Sequence, residues 1–350
     1  MTRFDVVVVG AGPAGCACAI SCAQRGLRVA LVERRPFPRF RPGESLHPGI
    51  EPLLQQLGVA GQLCSPAAMR FDGHWIHWDG PPRFSPFGAD ENGPWRGFQI
   101  ARADLDGALL QQARRLGVHV RQPCRASKVL TLDARVTGLE TDSGCLHATW
   151  LIDASGATGW LGRQLALPDQ AGSPPLQVRY GYLHGCLDPY ANTPHLLAVP
   201  YGWTWIAQVQ TQLLHWTNLA FATDRAQNAD RQMLPEALRV LPQAGPTRGA
   251  DVGWRISKAA AGNGYFLVGD CASRLDPAAS HGVLKALMSG MQAAQAVHDC
   301  LRRPILEAVV QAQYRQWLHA WFERDATQLR HFYRQHPYPP QWLGCPAKPS

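Results

Sequence analysis

Lysine is almost missing from this chain. Only Lys128, Lys258, Lys285 and Lys348 occur among 34 basic residues, so arginine carries nearly all of the +8 surplus. The arginines are dispersed rather than gathered into a stripe, and no zinc-finger spacing or RNA-recognition pattern appears, which argues against a nucleic-acid partner. No apolar run approaches ~18 residues. Met1-Thr2-Arg3 leads into a strand pattern rather than into the apolar stretch and small-residue cleavage site of a secretory signal. The expectation is a cytoplasmic protein with no membrane partner. Ten cysteines are scattered without a C-x-x-C pair, and no histidine cluster has ligand spacing, so no metal site is expected. Cys16, Cys18 and Cys22 read as small buried thiols of a helix packed on a sheet. With 46% hydrophobic and 17% charged residues disorder is excluded as well, and 350 residues allow two domains or one large domain with a second nested in it.

What is present begins at the N-terminus. Phe4 to Val9, FDVVVV, does not alternate and reads as a fully buried parallel strand. Gly10-Ala11-Gly12-Pro13-Ala14-Gly15 follows, then a helical stretch over 16–24, a break at Arg25-Gly26, and a second apolar strand from Val29 to Val32 that ends in Glu33. This is a βαβ unit carrying the dinucleotide fingerprint. Gly10 permits the tight turn, Gly12 lets backbone approach a pyrophosphate, and Gly15 lets the helix pack close on the strand, while the helix N-terminus offers free N–H groups. Glu33, at the second strand end, suits a ribose diol and disfavours a 2′-phosphate, which points to FAD or NAD rather than NADP.

Two downstream stretches favour the flavin. Trp150 to Gly156 is a strand ending in a D-x-x-G turn, and Tyr265 to Asp270 is another buried strand running into Gly-Asp. The latter leads to Asp276-Pro277-Ala278-Ala279-Ser280-His281-Gly282 and a small-residue helix over 284–297. With these markers in order, the sequence resembles the FAD-dependent monooxygenase superfamily, which groups the flavoprotein hydroxylases with halogenase and geranylgeranyl-reductase relatives. Arg41-Pro42-Gly43-Glu44-Ser45-Leu46-His47-Pro48 before a helix over 50–57, and Arg102 to Asp106 before a helix over 107–116, resemble the branch of flavin-dependent halogenases and LodB-like flavoproteins of tryptophylquinone-cofactor biogenesis. The aromatic 314–334 stretch is similar to the closing helix of the LodB-like proteins.

The resemblance implies an α/β fold: a discontinuous, glutathione-reductase-type Rossmann-like FAD-binding domain over 1–170 and 250–300, with an inserted antiparallel β-sheet substrate domain over 171–249. A loop over 60–97 would cover the site, and 301–350 would form C-terminal helices. Besides Gly10, Gly12, Gly15 and Glu33, the cofactor is expected to meet Pro13, Ala14, Arg34, Ser45 and Arg102. Asp270 would bond the ribityl chain, and Pro277 and Gly282 would lie beside the flavin ring at a helix N-terminus, whose dipole favours the reduced ring. His47 and His281 are the candidates for proton handling, since histidine titrates in the useful range.

Departures from the pattern matter. The lysine that tryptophan halogenases use has no counterpart in Ala67-Ala68-Met69-Arg70-Phe71, and their glutamate is replaced by Ala279. The arginine usual after the central turn is replaced by Ala157, with Arg163 the next candidate, so the reductant is either NAD(P)H or externally supplied reduced flavin. The middle, 180–223, reads as β-structure, with Trp203 and Trp205 on one face of a strand. The 71–95 segment reads as a long irregular loop serving as lid or docking surface. The implied activity is an FAD-dependent monooxygenase acting on an aromatic substrate, tryptophan or indole, either free or borne by a precursor protein, with a flavin reductase as a further partner where reduced flavin is supplied. A geranylgeranyl-reductase-like reductase, a halogenase and a flavin-carrying maturation partner with little turnover remain the alternatives.

Overall fold

The computed structural model describes residues 3–64, 68–221 and 233–344. Ala67, the 222–223 end of the β reading and the last six residues of the C-terminal segment lie outside them.

The chain opens with β1 (Phe4–Val9), α1 (Pro13–Gln24) and β2 (Val29–Val32). After a long excursion that includes β3 (Gly73–His77) and β4 (Arg83–Pro86), it forms α2 (Arg102–Arg115), β5 (His119–Arg121), β6 (Ala126–Leu132), β7 (Arg135–Thr141) and β8 (Gly144–Asp153). Next come β9 (Gln177–His184), β10 (His195–Val199), β11 (Gly202–Gln210), β12 (Leu213–Ala220) and β13 (Arg248–Asp251). The return supplies β14 (Tyr265–Leu267) and two long helices, α3 (Gly282–Arg302) and α4 (Glu307–Arg334). No helix of the described residues is long and apolar enough to cross a membrane.

Two large sheets result. In the first, β5-β2-β1-β8 run parallel, with β7 and β6 added antiparallel beyond β8. β8 is long enough to serve two neighbours on one side: Gly138 to Thr141 pair with its first half, and β14 runs parallel to its last three residues. The tetravaline of β1 is buried on both faces, as an inner strand of such a sheet requires. The Rossmann-like FAD-binding fold read from the fingerprint is therefore present.

α1 and α3 pack backbone to backbone against this sheet. A Cβ at Gly290 would lie 2.2 Å from the Ala14 carbonyl oxygen, so only glycine permits the approach, and Ala293 and Ala294 continue the small surface. This close crossing aims the first turns of both helices at the same space. Cys16, Cys18 and Cys22 are all buried in α1.

The second sheet, β13-β9-β12-β11-β10-β3-β4, is antiparallel apart from the β10–β3 pair. The 71–95 stretch is not a wholly irregular loop, because β3 and β4 extend the substrate-side sheet through it. Its glycines and prolines masked the alternation: a Cβ at Gly73 would meet the Ser85 carbonyl oxygen at 2.2 Å, and Pro86 closes an exposed edge strand where its missing N–H costs little. α2 also begins earlier than expected, at Arg102 rather than 107.

Candidate active site

Between the two sheets lies a cavity of about 2090 Å³. That is about twice the upper end of the ~300–1,000 Å³ usual for small-molecule sites, so it has room for a dinucleotide and a second ligand.

Its phosphate-like part is made of main chain. Gly10, at φ +103°, turns where a Cβ would sit 2.4 Å from the Ala154 carbonyl oxygen, and a Cβ at Gly15 would fall 1.9 Å from the Gly10 oxygen. Gly12 differs, because a Cβ there would meet only the Arg39 side chain, at 3.5 Å. Its small size thus serves whatever occupies the cavity. Gly12, Pro13 and Ala14 line the cavity, while Gly15 is buried behind them in the helix–strand contact. No side chain caps the first turn of α1, which leaves its N–H groups available to an anion.

Glu33 is buried and accepts hydrogen bonds from the main-chain N–H of Ala11 (2.9 Å) and of Arg35 (2.9 Å) and from Arg39 (3.1 Å). A carboxylate has about four acceptor sites, so one remains for a ribose hydroxyl. Arg34 is exposed on the rim. Arg102 is paired with Asp106 (3.1 Å) and donates to the Pro42 carbonyl (3.1 Å), which latches the 41–48 segment to α2. Ser45 donates to Gln99 (2.9 Å). Arg41 has no ion pair among the described residues. Partial burial and the neighbouring Arg39, Arg35 and Arg102 hold its pKa below the usual arginine value.

Asp270 lines the cavity, with its side chain exposed to it. Burial pushes its pKa up against the opposing charges of Arg274, Arg102, Lys285 and Arg41, and no described group hydrogen-bonds to it. Pro277 and Gly282 line the same space, where the first turn of α3 is likewise uncapped by a side chain. An unsatisfied carboxylate, two open helix N-termini and a glycine facing the void fit the ribityl chain, ring and pyrophosphate of FAD.

The remaining wall is aromatic. His47 packs edge-on against Phe87 (5.2 Å between centroids), Phe87 against Phe71 (5.5 Å) and His74 (6.2 Å), and His74 against Trp205 (5.9 Å). Trp203 and Trp205 do share a face, but Trp203 is buried and ties β11 to α4 by donating to the Tyr333 hydroxyl (2.9 Å). Burial and neighbouring His281 hold His47 down at about 4, so it is neutral at physiological pH. Its Nδ1 accepts from the Gly49 N–H (3.1 Å), which places its one proton on Nε2.

Several buried polar groups were not singled out from the sequence. Glu44 accepts from the Gly43 N–H (2.8 Å) and from the Tyr182 hydroxyl, with His215 at 3.9 Å, and so braces the 41–48 segment against β9 and β12. Asp276 accepts from Trp254 (2.7 Å) and from the Ala278 N–H (2.9 Å). Asp325 lies within 3.5 Å of His281 and 3.2 Å of Lys285. Its signal was readable: the buried positions 314, 318, 322, 329 and 333 of α4 form an apolar stripe, and 325 is the one charged residue on it.

Comparison with known proteins agrees with this geometry. The family profile for FAD dependent oxidoreductases matches residues 5–38, and that for tryptophan halogenases matches residues 83–345, well over half of the chain. The chain belongs to the tryptophan halogenase family and is an FAD-dependent oxidoreductase. It is 27% identical to a 1H-pyrrole-2-carbonyl-(peptidyl-carrier protein) brominase of Pseudoalteromonas luteoviolacea, covering 94% of this chain and 86% of the relative. It is 28% identical to a tryptophan 2-halogenase of Chondromyces crocatus, covering 94% and 67%. Among solved structures, the peptidyl tryptophan dihydroxylase QhpG, essential for tryptophylquinone cofactor biogenesis, superposes with a TM-score of 0.74 at 24% identity over 98% of this chain and 78% of that one, a likeness of fold.

Proposed function

We propose that this chain is an FAD-dependent monooxygenase that hydroxylates an electron-rich aromatic ring, an indole or tryptophan side chain presented by a partner polypeptide. The observation that carries the reading is the fate of Arg70, which stands in the segment where halogenases keep a catalytic lysine. Its guanidinium is bonded to Glu51 (3.0 Å) and lies over the Phe98 ring (4.8 Å). A guanidinium does not give up its proton in a protein, so it offers no amine to capture an oxidised halide. Lys285, which lines the cavity, is paired with Asp325.

Bound and reduced, FAD supplies the activation of oxygen. The first turn of α1, with Gly10, Gly12, Pro13 and Ala14, receives the pyrophosphate with help from Arg41, while Gly15 holds helix to strand. Glu33 and Arg34 take the adenosine half. Asp270 accepts from the ribityl hydroxyls, and Ser45, Arg102, Pro277 and Gly282 frame the ring. The linked rings of His47, Phe87, Phe71, His74 and Trp205 exclude water and stack the substrate, the arrangement an aromatic ring prefers. His47 can donate from Nε2 as a neutral group only, which leaves His281 as the group that moves a proton. That two of the similar proteins are named for a carrier-protein-linked or a peptidyl substrate supports a polypeptide-borne ring here.

Family membership favours a second reading, halide transfer to the same ring. Mixing the protein with chemically reduced FAD, isotopically heavy oxygen, bromide and tryptophan-containing peptides tests both. Heavy oxygen in the peptide is expected. Reoxidation of flavin with the peptide unlabelled would overturn the proposal, and flavin-driven reduction of a substrate without oxygen uptake would point to a reductase.

A further inference from the structure

α4 buries one charge. Asp325 occupies the apolar stripe at 3% exposure, and its Oδ2 faces Lys285 Nζ at 3.2 Å and His281 Nδ1 at 3.5 Å, with neither contact a well-directed hydrogen bond. Both partners come from the start of α3, where the Lys285 N–H donates to the His281 carbonyl (2.8 Å), so the two side chains are one turn apart on a single face. All three residues line the cavity. The His281 ring also meets His47 edge-on at 5.1 Å between centroids, and His47 meets Phe87. The imidazole therefore touches both a buried carboxylate and the first ring of the aromatic wall.

A carboxylate on an apolar stripe is costly unless it is paired, and a hydrophobic residue would pack there at no such cost. Burial raises the Asp325 pKa, but the contacts from His281 and Lys285 outweigh it and leave the group ionised. The pairing has directional content. A carboxylate at Nδ1 selects the tautomer with its proton there, which leaves Nε2 bare to take up a proton or, once the ring is charged, to deliver one.

We propose that Asp325 is the positioning residue of an acid–base dyad in which it fixes His281 through Nδ1 and leaves Nε2 to exchange protons at the aromatic wall, with Lys285 holding the carboxylate in place. The dyad rests on the hydroxylase reading for its use, since proton delivery to the activated oxygen is the step it would serve. The two distances exceed the ~2.7–2.9 Å of charge-assisted hydrogen bonds, so the pairing acts through charge and orientation more than through a tight bond.

Two measurements on the full FAD-loaded chain test it. Long-range proton–nitrogen NMR of labelled histidines at alkaline pH, with the His281→Gln variant identifying the signal, should show His281 protonated on Nδ1 and bare at Nε2. Asp325→Asn should abolish that preference and Asp325→Glu should restore part of it. An unchanged tautomer in Asp325→Asn would overturn the proposal, whatever reaction the enzyme performs, so this result is separable from failure of the hydroxylase reading. In turnover, Asp325→Asn should lower kcat about 10- to 100-fold with KM and FAD affinity within about twofold. The loss should vanish in a His281→Gln background, and additive losses would contradict the dyad.

Discussion

The glycine-turn part of the cavity faces inward with main-chain N–H groups from one short stretch of sequence. The aromatic part faces inward with rings and carboxylates from the 41–48 segment, β3 and its flank, β11, α3 and α4. The first kind of site is rigid once the strand and helix have formed, and substitutions in it act through backbone geometry. The second exists only after distant segments meet, so its members can be changed singly with the rest of the cavity left standing.

The largest effect should come from the main-chain part. Gly10→Ala needs both a positive φ and a Cβ inside the contact distance of the Ala154 oxygen. FAD affinity should fall by at least ~100-fold, about 2.7 kcal/mol, in a flavin-fluorescence titration of apoprotein. Asp270→Ala removes a carboxylate that has no hydrogen-bond partner among the described residues. FAD affinity should drop about 10- to 100-fold while the thermal midpoint of the apoprotein stays or rises. In the aromatic part, Trp205→Ala or Phe87→Ala should raise substrate KM about 10-fold with FAD affinity unchanged. A comparable loss of FAD binding in these variants would break the division between the two parts.

The smallest effect concerns Asp276. Burial raises its pKa from 3.8 to about 6, so the folded chain binds this proton more tightly than the unfolded chain. The stabilisation is complete below the unfolded pKa and lost as pH rises through about 6. Asparagine has no such proton. The cost of Asp276→Asn in urea denaturation should therefore shrink by about 1 kcal/mol between pH ~5 and pH ~7.5.

The same division explains what could be read from the sequence. Strand β1, the glycine turn, β2 and the Glu33 position were legible because each is a local pattern: a β-branched run, fixed glycine spacing, and an acid at a strand end. The G-D and D-P stretches were legible as motifs and fall on the same cavity wall. β3 and β4 were not, because Gly73, Gly80, Pro81, Pro82 and Pro86 interrupt the alternation that marks a strand; β3 is held by pairing with the distant β10, and β4 by pairing with β3. Asp325, Lys285, Glu44 and Tyr182 were missed as a group. Lys285, Glu44 and Tyr182 are ordinary in their own helix, loop and strand, and Asp325, although it interrupts an apolar stripe, acquires its role as they do only from a partner 40 or more positions away.

The most direct test is a competition in one vessel. A tryptophan-containing peptide, reduced FAD, oxygen and excess bromide are combined with the enzyme, and the peptide is weighed by mass spectrometry. A gain of one or two oxygen atoms with no bromine is the predicted result. Bromine on the indole, at the expense of oxygen, would show that the pinned Arg70 does not exclude halide chemistry and would contradict the account.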